Sequence, residues 1–358
     1  MKTSPILLAV LTGSLLTTAA HAQVELTITG STAFRAITIE RSGFLYDAGS
    51  RTSVTNDASA GRITFSGTMS NAVPALGSTP VKVRLSFSGS AAGMLAVKNS
   101  TPVSTAETPG VNINKTPDVA LSDVFPSSAT PPIAESSFNR AVIGVVPFVY
   151  VRNNAMTGVT NITREQAVLL MNSSGVIGGN AGMPATYLGG TSPNPVYLIG
   201  RDSGSGTRIS VHKVIGYNSN PVLWATNGAG TYVLTNGYPS GGNQRDVIKG
   251  KADAIGYLGL PDFINIQASA TRLSYQGVPF TAAAVATGSY SLWGYEHLVN
   301  RAGGLSANQL LVKNALVSAI TDPVYQSTVP AYNDNFVSVS EMQVERGADG
   351  GPITALSF

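Results

Sequence analysis

The residues best suited to chemistry lie between a short apolar run and a candidate helix. The apolar residues 196–199 are followed by Arg201 and by a loop of small polar residues at 203–207. The first N–H groups of a helix have no internal partner, and the helix dipole adds positive potential there, so such a loop can bind an anion. The hydroxyls of Ser205 and Thr207 and the guanidinium of Arg201 can add donors. A capped helix start explains the same residues equally well.

Two further loops have the same layout. Residues 30–34 follow an apolar strand signal at 24–29, and residues 88–90 follow an alternating one at 81–87. In an open α/β sheet, such loops lie at the carboxyl ends of strands, where ligands bind. A carboxylate, Asp123, follows a third short apolar run, and either an exposed helix cap or a buried acceptor would fit it. Small polar loops are common in this chain, so each loop alone is weak evidence for an anion site. The specific observation is that the three loops occur together with Asp123 and Arg201.

The elements that would position these loops alternate between strands and helices, which predicts an α/β architecture. The predicted strands are 24–29, 62–66, 81–87, 119–121, 141–151, 196–199 and 254–260. The predicted helices are one that contains Ile37, Ile39, Phe44 and Leu45, a short one after Gly93, one at 161–171, one after the 203–207 loop, and one at 306–320. Residues 50–80 are predicted to contain an inserted hairpin. Residues 99–118, which hold three prolines, are predicted to be a loop.

Composition limits the classes of protein. The chain has 358 residues, enough for two lobes, and its formal net charge is +3. Only 11% of its residues are charged, against about 25% in typical proteins. No basic patch with interleaved aromatic residues is present, which argues against nucleic acid as a partner. The absence of cysteine excludes disulfides, thiolate chemistry and a lipidated N-terminal cysteine.

The N-terminus has the pattern of a secretory leader. A lysine at position 2 precedes the apolar residues 5–16, and Ala20-His21-Ala22 fits a cleavage site, so we expect a mature chain that starts at Gln23. The apolar run is shorter than the ~20 residues that a membrane span needs, which disfavours an anchor. We therefore expect a periplasmic or secreted protein.

The sequence offers little support for an enzyme. After the leader it holds two histidines, His212 and His297, and neither lies in an activating motif. The chain has no G-x-S-x-G elbow and no phosphate-binding P-loop. Two histidines without cysteine or a paired acidic motif make a weak metal site, so we expect no metal and no cofactor.

Taken together, the motifs resemble those of the periplasmic phosphate-binding proteins of ABC transporters, which have the type II periplasmic-binding-protein fold. The resemblance covers most of residues 24–300. It rests on residues 29–34 (Thr-Gly-Ser-Thr-Ala-Phe), 87–90 (Phe-Ser-Gly-Ser), 119–123 (Val-Ala-Leu-Ser-Asp), 147–148 (Pro-Phe), 161–167 (Asn-Ile-Thr-Arg-Glu-Gln-Ala), 200–207 (Gly-Arg-Asp-Ser-Gly-Ser-Gly-Thr) and 254–260 (Ala-Ile-Gly-Tyr-Leu-Gly-Leu). The run at 200–207 is the most specific of these.

The resemblance implies a set of phosphate-binding residues. The set is Thr32, Ala33 and Phe34 in the first loop, Ser90 or alternatively Ser88 in the second, then Asp123, Arg201, Ser205, Gly206 and Thr207. In such a site Asp202 would orient or partly neutralise Arg201. Asp123 would accept the proton of HPO₄²⁻, and sulfate, which has no proton at neutral pH, would be repelled.

The resemblance also implies an architecture and partners. Two lobes with a ligand cleft between them would comprise residues 23–146 plus 286–358 and residues 147–285. Each lobe would be a mixed sheet flanked by helices. A monomer would deliver phosphate to a membrane permease. Two alternatives stay open: a different oxyanion such as arsenate, and an exported structural or adhesin-like protein that reuses the fold. The tail after Leu305 matches no part of the family pattern.

Overall fold

A computed structural model describes residues 22–57, 61–333 and 335–356 of the chain. The predicted leader, apart from Ala22, lies outside these residues. Within the three described ranges, no helix combines the length and apolar character that crossing a bilayer requires.

Strands make up much of the described chain and are numbered here in chain order. They are β1 (Val24–Gly30), β2 (Thr52–Asp57), β3 (Arg62–Gly67), β4 (Val81–Phe87), β5 (Val103–Thr108), β6 (Val111–Lys115), β7 (Val119–Ser122), β8 (Phe138–Asn153), β9 (Asn161–Ile162), β10 (Val176–Ile177), β11 (Asn180–Ala181), β12 (Tyr197–Ile199), β13 (Leu223–Thr226), β14 (Tyr232–Thr235), β15 (Ala254–Gly259), β16 (Ala270–Arg272), β17 (Ser274–Tyr275), β18 (Trp293–Arg301), β19 (Val344–Glu345) and β20 (Thr354–Ala355).

The helices are short, and most of them connect strands. They are α1 (Arg35–Phe44), α2 (Ser90–Asn99), α3 (Arg164–Ser173), α4 (Gly206–Ile215), α5 (Gly241–Gly250), α6 (Leu260–Ile264), α7 (Ala282–Ala286), α8 (Ala307–Ile320), α9 (Pro323–Thr328) and α10 (Pro330–Asn333). The predicted α/β architecture is thus confirmed.

Ten strands form one mixed sheet in the order β12-β15-β8-β18-β7-β1-β4-β3-β2, with β16 added beside β8. The strands β7, β1 and β4 run parallel, as do β12 and β15. Strand β8 is antiparallel to both of its main neighbours, β15 and β18. The predicted insertion is a hairpin, β2–β3, and it extends this sheet through pairing of β3 with β4.

The parallel strands β1, β4 and β7 end level with one another, which brings the loops that follow them to one edge. Gly30 at the end of β1 pairs with Phe87 on β4 and with Leu121 on β7. The φ of Gly30 is 112°, and a β-carbon at this position would lie 2.1 Å from the carbonyl oxygen of Leu121. Only glycine fits this close approach.

Strand β8 links the two halves of the sheet. Its residues 138–147 pair with β18, and its residues 148–152 pair with β15. The change of partner falls between Pro147 and Phe148. The boundaries of the two lobes stay a prediction.

Apolar clusters fill both faces of the sheet. Because side chains alternate along a strand, Leu121 of β7 joins the main cluster and Ala120 joins a smaller one. The smaller cluster lies under α2, which contributes Ala91, Met94 and Val97. Both clusters hold the N-termini of the neighbouring helices in fixed positions at the edge of the sheet.

Two predictions of local structure were wrong. Residues 99–118 form the hairpin β5–β6, because their prolines lie outside the two strands and Pro109-Gly110 makes the turn. Helix α2 begins at Ser90 and not after Gly93. Phe44 of α1 is 63% exposed and lies under the guanidinium of Arg41, whose Cζ is 4.0 Å from the ring centre.

Candidate functional site

The loop after β4 and the loop after β12 meet at the edge of the sheet. The N–H of Ala91, in the first turn of α2, donates to the carbonyl of Gly204 at 3.2 Å. Gly89 has a φ of 101°, and a β-carbon there would lie 2.9 Å from the same carbonyl oxygen. The N-termini of α2 and α4 therefore converge on a shared region. Both of them direct partial positive charge toward it.

Asp123 lies where these two helices converge. Its side chain is buried, with the residue 1% exposed. The hydroxyl of Ser90 donates to Oδ1, and the hydroxyl of Thr207 donates to Oδ2 at 3.4 Å. The hydroxyl of Ser210 fixes the backbone by donating to the carbonyl of Asp123 at 3.1 Å. Since Asp123 is buried and no helix follows it directly, the exposed-cap interpretation is wrong.

Burial and hydrogen bonding act in opposite directions on this carboxyl group. Burial raises the pKa of Asp123 above its ordinary value, whereas the Ser90 hydroxyl, the charge of Arg201 and the Thr207 hydroxyl each lower it. The hydroxyl donors stabilise the ionised form. A carboxylate in this position can accept one more hydrogen bond from a ligand that carries a proton.

Gly206 is required by the position of this carboxylate. A β-carbon on Gly206 would lie 1.5 Å from Oδ1 of Asp123 and 2.6 Å from Oγ of Ser90. Any other residue would therefore displace the carboxyl group. The neighbouring Ser205 caps α4, because its Oγ accepts the N–H of Arg208 at 3.3 Å. The capped helix start thus exists, and it coexists with the cluster around Asp123.

Arg201 is buried at the end of β12 and is held by backbone carbonyls. Its Nε donates to the carbonyl of Tyr238 at 3.1 Å, and its Nη2 donates to that of Pro239 at 3.0 Å. Nη1 makes no hydrogen bond to the described part of the chain, so it can bind an anion. Burial lowers the pKa of Arg201, and the carboxylates of Asp262, Asp202 and Asp123 raise it.

Asp262 is a charged residue that the sequence did not single out. Its Oδ1 accepts from Nη1 of Arg245 at 3.3 Å. Burial raises the pKa of Asp262, and three arginines, Arg201, Arg245 and Arg35, lower it. The predicted partner of Arg201, Asp202, acts on it through its charge and accepts the N–H of Gly204 through Oδ1 at 3.1 Å. The charges of three guanidinium groups thus act on one buried carboxyl group, that of Asp262.

The three predicted residues of the first loop lie directly before α1. Phe34 is a core side chain, with its ring centre 4.7 Å from that of Phe336. Ala33 is buried, Thr32 is half-buried, and α1 has no side-chain cap. These three residues make no hydrogen bond to Ser90, Asp123, Arg201 or Thr207 in the described chain. The structure brings Ser90, Asp123, Gly206 and Thr207 into direct contact, and Arg201 acts on Asp123 through its charge.

Both histidines are packed against aromatic rings. Burial lowers the pKa of His212 to about 4 and that of His297 to about 3, so both are neutral at pH 7. His212 contacts Tyr217 edge to face, and His297 contacts Phe125 in the same way. Among the described residues, no group of three or more His, Cys, Asp or Glu side chains could hold a metal ion.

Comparison with known proteins identifies the fold. No protein-family model matches the chain, and no curated protein matches it in sequence. A phosphate ABC transporter substrate-binding protein with bound phosphate, from Clostridium perfringens, is 16% identical, with a TM-score of 0.58 over 88% of this chain and 99% of that one. An ABC-type phosphate transport receptor from Vibrio cholerae is also 16% identical, with a TM-score of 0.50 over 87% of this chain and 99% of that one. With its mixed sheet and flanking helices, the chain has the two-lobed type II periplasmic-binding-protein fold.

Proposed function

We propose that this protein binds inorganic phosphate, as HPO₄²⁻, outside the cytoplasm and delivers it to an ABC-transporter permease. The observation that carries the proposal is Asp123, a buried carboxylate placed among donors. Ser90, Thr207, Arg201 and two converging helix N-termini favour an anion here. A carboxylate in the same place disfavours any anion that brings no proton of its own. Phosphate and arsenate satisfy both conditions, and sulfate does not.

The proposal extends to the first loop and to movement of the lobes. The backbone N–H groups of Thr32, Ala33 and Phe34 would contribute donors, as would Ser205 and Gly206 at the start of α4. The hydrogen bond from Ala91 to Gly204 joins residues of the two proposed lobes, 23–146 plus 286–358 and 147–285. It supports a cleft that closes by bringing these loops together. The two structures described above, both named for phosphate transport, support the same ligand.

Calorimetric titration of the exported protein tests the function directly. After bound anion has been removed by unfolding and refolding, we expect phosphate to bind tightly and one to one at neutral pH. Sulfate should give no heat, since it leaves the Asp123 carboxylate without a proton to accept. A well-folded protein that binds neither anion would contradict the proposal and favour the structural or adhesin-like alternative.

Asp123→Asn is expected to narrow the preference for phosphate over sulfate by at least about tenfold. The amide removes the negative charge that repels sulfate and can donate to it, and a difference of 1.4 kcal/mol corresponds to that factor. The measurement is the ratio of the two dissociation constants by calorimetry. Asp118→Asn is the matched control, because Asp118 lies at the opposite end of β7 and accepts the N–H of Thr27 at 2.8 Å. An unchanged ratio in Asp123→Asn would remove Asp123 from the site.

A further inference from the structure

Glu296 is a fully buried carboxyl group that the site described above does not use. The residue is 0% exposed, and neither Oε1 nor Oε2 has a hydrogen-bond partner among the described residues. The hydroxyl of Ser31, in the loop that leads into α1, is also buried and lacks a partner of ordinary geometry in the described chain. An ionised carboxylate buried in this way would be very costly, so the group has to be neutral or to have a partner.

The position of Glu296 connects it with the candidate site. It pairs with Gly144 of β8, at a point where the ladder shifts register between Glu296 and His297. A β-carbon on Gly144 would lie 3.2 Å from the ring of Phe34 and 2.8 Å from the hydroxyl of Tyr332. Glu296 therefore lies under the loop that contains Ser31 and Phe34, near the end of β7.

The charged and titratable groups around Glu296 come from three elements. They are Asp123 after β7, Tyr332 in α10 and the hydroxyl of Ser31 after β1. Burial first and then the charge of Asp123 raise the pKa of Glu296 well above its ordinary value, and Ser31 lowers it only in part. Arg201 and the hydroxyls of Ser90 and Thr207 lower the pKa of Asp123 and have no such effect on Glu296. Burial raises the pKa of both acids, but Asp123 has the charge of Arg201 and two hydroxyl donors to stabilise its ionised form, whereas Glu296 has only Ser31.

We propose that Glu296 is a further determinant of anion binding at this site, which keeps its proton while the anion is bound and expels the anion when it ionises. The inference rests on the proposed function, because the anion concerned is the one that Asp123 and Arg201 would bind. A neutral Glu296 offers one O–H donor under the first loop. An ionised Glu296 would place a second carboxylate beside Asp123, and a dianion cannot be held against two such charges in a buried site.

The test compares the unmodified protein with Glu296→Gln, which keeps the shape and a donor but cannot ionise. Phosphate dissociation constants are measured by calorimetry from pH 6 to pH 10. Both proteins meet the same mixture of phosphate species at each pH, so the ratio of their constants isolates Glu296. We expect similar affinities at pH 6–7 and a relative loss in the unmodified protein of about tenfold per pH unit once Glu296 ionises. Parallel profiles up to pH 10 would overturn the inference and leave the proposed function intact.

A second measurement needs no ligand. Because the folded protein raises the pKa of Glu296 above its unfolded value, this acid destabilises the fold increasingly as the pH rises above the unfolded pKa. Glu296→Gln should therefore match the unmodified protein in melting temperature near pH 4 and exceed it at pH 8. An equal difference at both pH values would show that Glu296 holds no proton, and would overturn the inference. Absence of phosphate binding by the unmodified protein at every pH would instead overturn the proposed function and the ligand part of the inference with it.

Discussion

Replacing Arg201 with alanine is expected to weaken phosphate binding by roughly 30-fold to several thousand-fold. The expectation follows from the loss of about 2–5 kcal/mol when one partner of a buried, hydrogen-bonded charge pair is removed. Arg201 is 3% exposed and is fixed by the carbonyls of Tyr238 and Pro239, so its guanidinium is already oriented for the anion. The measurement is a phosphate titration by calorimetry at neutral pH.

Arg152→Ala is the matched control for Arg201→Ala. Arg152 is also a largely buried arginine that donates to backbone carbonyls, including that of Val159 at 2.6 Å, but it lies on β8. Both variants lose bonds to the backbone, so both should be less stable. Only Arg201→Ala should lose phosphate. If the two variants bind phosphate with equal affinity, the assignment of Arg201 to the site is wrong.

Gly206→Ala is expected to abolish phosphate binding, with a loss of at least about 100-fold. Its β-carbon would lie 1.5 Å from Oδ1 of Asp123, so either the carboxyl group or the start of α4 has to move. The carboxyl group of Asp123 is held in place by hydrogen bonds from Ser90 and Thr207. Overpacking of this kind costs about 1–3 kcal/mol of stability. The loss of binding should be larger, because Asp123, Ser90 and the N-terminus of α4 are displaced together.

The control for this substitution is Gly242→Ala in the first turn of α5. A β-carbon on Gly242 would meet its nearest neighbour, Oγ of Ser240, at 3.7 Å, which is an ordinary contact. Urea unfolding of both variants separates loss of stability from loss of binding. A folded Gly206→Ala protein with normal phosphate affinity would mean that the contact between Gly206 and Asp123 is not needed for binding.

The strands of the sheet and the convergence of the loops could be predicted because their signals are local. Residues 141–151 of β8 and strand β15 are continuous apolar runs, as buried strands should be. Ser90, Asp123 and Thr207 each follow such a run, so one edge of the sheet had to bring them together. Their role as ligands of phosphate stays a prediction. The hairpin β5–β6 was missed because its prolines were counted against it, although they lie outside the strands.

The remaining features depend on contacts between distant segments. Asp262 has the local pattern of a helix start, with a proline before it, and nothing nearby in sequence indicates that it faces Arg201. Glu296 lies in the strand β18, and an acidic side chain is normally exposed. It is nevertheless 0% exposed, and its charge acts on Tyr332, which is distant from it in sequence. The pattern of residues around Glu296 in the sequence does not predict this burial.

Strand β8 has a mechanical consequence for the whole molecule. It is 16 residues long, about 50 Å at ~3.3 Å per residue, and it exchanges β18 for β15 as its partner without interruption. A movement of one half against the other therefore bends a hydrogen-bonded ribbon and requires no linker to melt. Bending of this strand should produce a restoring force that limits how far the two halves can move apart or together. Strand β8 belongs to both halves, so unfolding of one half breaks backbone hydrogen bonds that hold the other. Heat should therefore unfold the protein in a single transition.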